Sequence, residues 1–234
     1  MKFKLDPGVV KIVETIESAG HEAWIVGGAV RDLLLDLPSY DWDVTTDATP
    51  ELRVPLFNES FYDNEYGTVK VAGKHIREQF KLEEGEIDDS VLYDITTFRS
   101  ESEYSDKRRP DNVEWGKTIQ EDLKRRDFTI NAMALRIPVI QFSSIPVDGY
   151  EGEMIDPYGG QEDIKNKLIK AVGVASERFE EDALRIMRAI RLSAQLGFGI
   201  EAETLKALND KVQNLKEISW ERIGAEVMKL LSTE

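Results

Sequence analysis

The spacing of apolar residues changes period partway along the chain, and that change limits the folds open to it. Up to about residue 140, short β-branched runs alternate with short helical stretches. Beyond an irregular, proline-containing segment at 138–158, the sequence reads as helix from about Gln161 onward. A chain of 234 residues with 41% hydrophobic content can bury a substantial core in two modest units. The sequence therefore predicts an α+β fold: a mixed sheet with flanking helices over 1–140, followed by an all-helical domain over 141–234.

Local signals place the first elements. Asp6 and Pro7 open a helix whose apolar stripe is Val9, Ile12, Val13 and Ile16, and Gly20 ends it. His21–Val26 reads as a buried strand running into Gly27-Gly28, with a helix from Ala29 to about Asp36. Trp42–Thr45 reads as a strand, and Thr49-Pro50-Glu51 opens a helix. Residues 68–72 and 91–98 alternate as strands do, with the acidic KLEEGEIDDS between them as an exposed hairpin loop. Residues 99–117 read as a long mobile loop. Thr118 and Glu121 form a capping box for a helix toward Arg126, and Phe128–Leu135 reads as helical. In the second part, Ser176 caps one long helix through Leu196, ended by Gly197. Helices at about 201–210 and 220–231 follow, the last capped by Ser219.

Composition excludes several chemistries. The chain has no cysteine and two histidines, His21 and His75, far apart. Disulfides, thiolate nucleophiles and Cys-ligated zinc are excluded, which fits a reducing cytoplasm. No apolar run approaches the ~20 residues of a bilayer span, and MKFKLDPG shows no secretory signal. A net charge of −15 argues against a nonspecific nucleic-acid binder. The charge is uneven, however: residues 51–106 hold 14 acidic and 6 basic residues, whereas 107–126 hold 7 basic and 4 acidic.

Three clusters can carry chemistry. Asp41 and Asp43 flank Trp42, and on a strand residues two apart share a face. Two such carboxylates repel unless a cation or proton lies between them, and hard oxygen donors suit Mg²⁺. Asp94, on a later strand, can supply a third. Solvated surface aspartates are the plain alternative. Gly27-Gly28, between a strand and a helix, lets backbone approach a phosphate, although the turn lacks the spacing of either common phosphate-binding glycine motif. An ordinary tight turn reads the same way. Arg125-Arg126-Asp127 can meet phosphate and a ribose hydroxyl, or simply end a helix. Asp182, Arg185 and Arg188 are spaced by three, so one helix face would carry an acceptor and a donor fork able to read a base edge. A surface Asp182–Arg185 salt bridge is the plain alternative. The series Arg185, Arg188 and Arg191 would crowd one face with cations unless an anion is bound.

The blocks GGAVRDLLL, YDWDVTTDATPE, YDITTFRSESEYSDKRRP, RRDFTINAMAL, IDPYGGQEDI and RFEEDALRIMRAIRLSAQLGF occur in this order. Together they resemble the class II tRNA nucleotidyltransferase (CCA-adding enzyme) and bacterial poly(A) polymerase family. The resemblance implies a polymerase-beta-like nucleotidyltransferase palm and a helical neck, with Asp41 and Asp43 on Mg²⁺ and Asp94 as third carboxylate. It places Gly27, Gly28 and Arg31 at the triphosphate, Arg126 and Asp127 at phosphate and ribose, Asp182 and Arg185 at the base, and Arg188 and Arg191 at the phosphates. The implied reaction adds nucleotides from CTP and ATP to a tRNA 3′ end without a nucleic-acid template. SESEYSDKRRP and EYGTVKV look more like the CCA-adding branch than the poly(A) branch, which would use ATP alone. Members of the family usually continue into body and tail regions that grip tRNA, so a partner chain supplying them, and a head that only binds nucleotide or RNA, are further expectations.

Overall fold

The computed structural model describes residues 1–63, 67–100, 115–138 and 149–232. Most of the expected loop at 99–117, residues 101–114, and the stretch 139–148 lie outside the described residues, as do Glu65 and Tyr66 at the start of EYGTVKV. The chain divides into two compact units.

The first unit runs β1 (Lys2–Phe3), α1 (Pro7–Ser18), β2 (Ala23–Val26), α2 (Gly28–Leu34), β3 (Trp42–Thr46), α3 (Pro50–Arg53), β4 (Phe61–Asp63), β5 (Thr68–Ala72), α4 (Gly73–Phe80), β6 (Leu92–Thr97), α5 (Ile119–Lys124), β7 (Ala134–Arg136), β8 (Tyr150–Glu151) and β9 (Glu153–Ile155). Seven strands form one sheet in the order β4-β5-β6-β3-β2-β7-β9. The β3–β6 pairing is parallel and the others are antiparallel, so the sheet is mixed as expected. Helices α1 and α2 pack on β2 and β3. The α1 cap forms as read: Asp6 Oδ1 accepts from Gly8 N at 2.8 Å and Val9 N at 3.1 Å. The same oxygen accepts from the buried Tyr93 hydroxyl, which ties the helix start to the sheet.

The acidic segment at 81–90 is a largely exposed loop between antiparallel β5 and β6, and the same connection also holds a helix not expected from sequence, α4 at residues 73–80. Its large apolar residues are only the buried Ile76 and the half-buried Phe80, so its apolar period is too short to read. The acidic segment folds back on it: Arg77 donates to both Asp89 oxygens, at 2.7 and 2.8 Å. Phe128–Leu135 is not a helix but a single 3-10 turn at Thr129–Asn131 followed by β7. β7 pairs with β2 on one side and β9 on the other, and that non-local pairing overrides an apolar run compatible with either element.

The second unit consists of residues 124–132 with α6 (Gly160–Lys165), β10 (Leu168–Ile169), α7 (Ala175–Glu181), α8 (Leu184–Leu196), β11 (Gly199–Ile200), α9 (Ala202–Lys211) and α10 (Trp220–Leu231). It is mainly helical, with a short parallel β10–β11 pair. The single long helix expected from Ser176 to Leu196 is broken at Asp182-Ala183. Asp182 takes an extended conformation, φ −147° and ψ 104°, and its Oδ1 accepts from Leu184 N at 3.0 Å. An aspartate offered that local acceptor geometry starts a new helix rather than continuing the old one. Gly197 ends α8 at φ +65°, as read.

Candidate nucleotidyltransfer site

In the first unit the sheet register assembles the carboxylates. Asp43 on β3 lies opposite Asp94 on parallel β6 and opposite Val26 at the end of β2. Val26 leads directly into Gly27, whose φ of +73° and ψ of −140° are open to glycine and strained for other residues. The carboxylate row is therefore one strand away from the Gly27-Gly28 turn. The neighbours Trp42, Val44, Tyr93 and Ile95 are all buried, so Asp43 and Asp94 occupy the opposite, half-buried face. Asp41 precedes the strand and is exposed.

Arg31 lies over Gly28: a Cβ there would stand 3.4 Å from Arg31 Nη2. Arg31 donates from Nε and Nη2 to Asp32 Oδ1 at 2.8 and 2.7 Å. Burial raises the Asp32 carboxyl above the usual range; Arg31 opposes that, and the charge of Asp41 adds to it. Arg31, Asp32 and Asp41 thus share one electrostatic neighbourhood. Lys70, the β5 register partner of Asp94, donates to both its oxygens at 3.0 and 2.8 Å. Neither Asp32 nor Lys70 was identified from sequence. Lys70 reads there as the polar half of an alternating strand.

The donor set is carboxylate oxygen throughout, which suits a hard divalent cation rather than zinc. Among the described residues, no group of three His, Cys, Asp or Glu side chains is gathered closely enough to hold a metal ion. With Asp94 engaged by Lys70, the fit to a cation rests on Asp41 and Asp43.

In the second unit the remaining candidates form a charge network. Asp127 is buried and accepts four hydrogen bonds. Phe128 N and Asn131 Nδ2 donate to Oδ1, and Arg188 donates to Oδ2 from Nε and Nη2 at 2.7 and 2.6 Å. Burial by itself pushes this carboxyl up, but the Arg188 charge and hydrogen bonds, the Arg185 charge and Asn131 bring it down to about 2. Asp127 in turn holds the Arg188 guanidinium above its ordinary value. Arg191 Nε donates to buried Glu226 at 2.6 Å. Arg185 donates to Glu181 at 2.6 Å and to the carbonyls of Arg178 and Arg125, each at 3.2 Å. Arg126 is half-buried beside Asp127.

The crowding of cations on α8 is thus answered from within the chain, by Glu181, Asp127 and Glu226. The plain alternative of an Asp182–Arg185 salt bridge does not form either. Asp182 Oδ2 accepts from Arg222 Nη2 at 2.7 Å, whereas Arg185 pairs with Glu181. The network brings Asp127, Asp182, Arg185, Arg188 and Arg191 into one neighbourhood. A cavity of about 400 Å³ lies elsewhere in this unit, beside α7 and α9, and none of these residues lines it.

With this geometry established, comparisons with known proteins are specific. The family described as "Poly A polymerase head domain" matches residues 23–170. A second family, "Probable RNA and SrmB- binding site of polymerase A", matches residues 197–234. The chain is 45% identical over 221 residues to a CCA-adding enzyme of Leuconostoc mesenteroides, covering 94% of this chain and 48% of that protein. It superposes with a TM-score of 0.76 and 35% identity on the Bacillus stearothermophilus CCA-adding enzyme in complex with CTP, covering 97% of this chain and 49% of the other. The Thermotoga maritima CCA-adding enzyme complexed with tRNA(CCA) gives a TM-score of 0.70 at 25% identity, covering all of this chain and 52% of the other. The chain spans about half the length of the curated relatives it matches.

Proposed function

Since the chain belongs to the poly A polymerase head-domain family, we propose that it carries the nucleotide-transfer chemistry of a CCA-adding enzyme. It would add C and A from CTP and ATP to the 3′ end of tRNA without a nucleic-acid template, in the cytoplasm. Among the described residues no helix is long and apolar enough to cross a membrane. The observation that carries the reading is the register of Asp43 opposite Asp94, one strand from the Gly27-Gly28 turn. It sets carboxylates beside a backbone that can approach a triphosphate.

Asp41 and Asp43 would hold a divalent cation, Mg²⁺ from the all-oxygen donor set, which supplies a lowered pKa at the primer hydroxyl and charge neutralisation at the triphosphate. The chain's own part is positioning. Gly27 and Gly28 admit the phosphates close to the main chain, and Arg31, held by Asp32, brings a planar cation to them. Arg126 and Asp127 would serve phosphate and ribose, and Arg188 and Arg191 would act on phosphate through the field they share with Asp127 and Glu226. Asp182 supplies an acceptor for the exocyclic amino group common to cytosine and adenine, with Arg185 as neighbouring donor. Uracil and guanine would present a carbonyl to that acceptor and leave a buried group unpaired.

The test is incubation of the chain with tRNA lacking its 3′ CCA and single nucleotides. Incorporation from CTP and then ATP, and none from UTP or GTP, is expected. Incorporation of A alone, in long runs, would instead identify a poly(A) polymerase. Nucleotide binding without incorporation would identify a binding head.

A further inference from the structure

Arg222, on α10, is half-buried and donates from Nη2 to Asp182 Oδ2 at 2.7 Å. Its other terminal nitrogen, Nη1, is buried and has no hydrogen-bond partner among the described residues. A buried donor left unpaired is destabilising, so a guanidinium held in this state calls for an explanation beyond packing. The explanation lies in what the paired arm does. Asp182 sits at the break between α7 and α8. Its Oδ1 is fixed by Leu184 N at the start of α8, and its Oδ2 by Arg222 from α10. Two donors from two helices therefore set the plane of one carboxylate. Each oxygen keeps a further lone pair, so the fixed carboxylate can still accept from a ligand.

We propose that Arg222 is a positioning residue for Asp182 and thereby determines which bases the site accepts. The proposal rests on the reading of Asp182 as the acceptor for the base amino group. Cytosine and adenine both present that amino group beside a ring-nitrogen acceptor; uracil and guanine present a carbonyl beside an N–H. A carboxylate locked in one orientation separates the two patterns. One free to turn about its Cβ–Cγ bond can move its oxygens away from a facing carbonyl, or exchange them for water. Arg185 does not fix this orientation, since the partners of its guanidinium are Glu181 and the carbonyls of Arg178 and Arg125.

The test uses the whole chain and its equilibrium binding of CTP, ATP, UTP and GTP, with the melting temperature measured in parallel. Arg222→Met should narrow the preference for CTP over UTP, and for ATP over GTP, by about tenfold. The melting temperature should change little, because removal of the unpaired Nη1 offsets the lost ion pair. Arg222→Lys keeps one charged donor within reach of Asp182 and should restore most of the preference. Asp182→Ala is the internal reference. If Asp182→Ala narrows the preference and Arg222→Met does not, Arg222 has no positioning role. An equal weakening of all four nucleotides in Arg222→Met, with a lower melting temperature, overturns the proposal in favour of a purely structural role. If Asp182→Ala itself leaves the preference unchanged, the base-reading role of Asp182 falls, and that of Arg222 falls with it.

Discussion

Replacing Asp127 by Asn should destabilise the second unit by roughly 2–3 kcal/mol at neutral pH, and most of that loss should vanish in acid. Two routes give the magnitude. The first is linkage. The folded carboxyl titrates at about 2 against an ordinary 3.8, and a gap of nearly two units corresponds to about 2.5 kcal/mol at 1.36 kcal/mol per unit. The second is the pair itself. Removing one partner of a buried ion pair costs about 3–5 kcal/mol. Here Arg188 can fall back on Glu226, whose Oε1 stands 3.8 Å from its Nη1, and its side chain is 34% exposed. Both features move the figure to the lower end of that range. The sign follows from the direction of the shift. A depressed folded pKa contributes stability that is fully present above about pH 4 and lost as pH falls toward 2. Urea denaturation followed by circular dichroism, at pH 7 and in steps down to pH 2.5, compares the native chain with Asp127→Asn. The two should differ by roughly 2–3 kcal/mol at pH 7 and by about 1 kcal/mol or less at pH 2.5. A difference below about 0.5 kcal/mol at pH 7, or one that stays constant into acid, would show that the Asp127–Arg188 pair does not carry this stability.

Other substitutions separate chemistry from scaffold. Asp43→Asn should reduce nucleotide incorporation at least a hundredfold while moving the unfolding free energy by about 0.5 kcal/mol. Incorporation near the native rate at saturating Mg²⁺ would remove Asp43 from the cation site. Gly27→Ala forces a side chain into φ +73°, ψ −140° and should cost about 1–3 kcal/mol in a urea melt; an unchanged midpoint would mean the turn relaxes freely. Arg53 is fully buried and donates to the carbonyls of Ile95 and Gly67 and to the Thr97 hydroxyl. Arg53→Met, which leaves those acceptors unpaired, should cost about 3 kcal/mol or more. A loss under 1 kcal/mol would mean water replaces the guanidinium.

The parts legible in the sequence are those fixed by nearby residues. Asp6, Pro7 and Gly20 bound α1 through cap and stop chemistry within a turn of each end, and Gly27 marks a backbone region that strains other residues. The face of Asp43 follows from strand alternation, with Trp42 and Val44 buried opposite, whereas Asp41 precedes the strand. What the sequence conceals is pairing at a distance. β3 and β6 are parallel neighbours with two helices and two strands between them in the chain, so the register that sets Asp43 against Asp94 has no local signature. β7 shows the same limit, because its partners β2 and β9 decide between helix and strand. The arginines of α8 show it most sharply. Glu181, four residues before Arg185, is a local partner that spacing could have supplied. Asp127 lies 61 positions from Arg188, and Glu226 lies 35 from Arg191. Without those two acids the stripe looks like a phosphate site; with them it is largely neutralised inside the fold. A row of cations therefore points to an anionic ligand only after the chain's own distant acids have been paired off. Applied to this unit, the rule weakens the case for Arg188 and Arg191 as phosphate ligands. It leaves the proposed base-reading role of Asp182 standing, because that carboxylate, fixed by Leu184 and Arg222, still has lone pairs to offer.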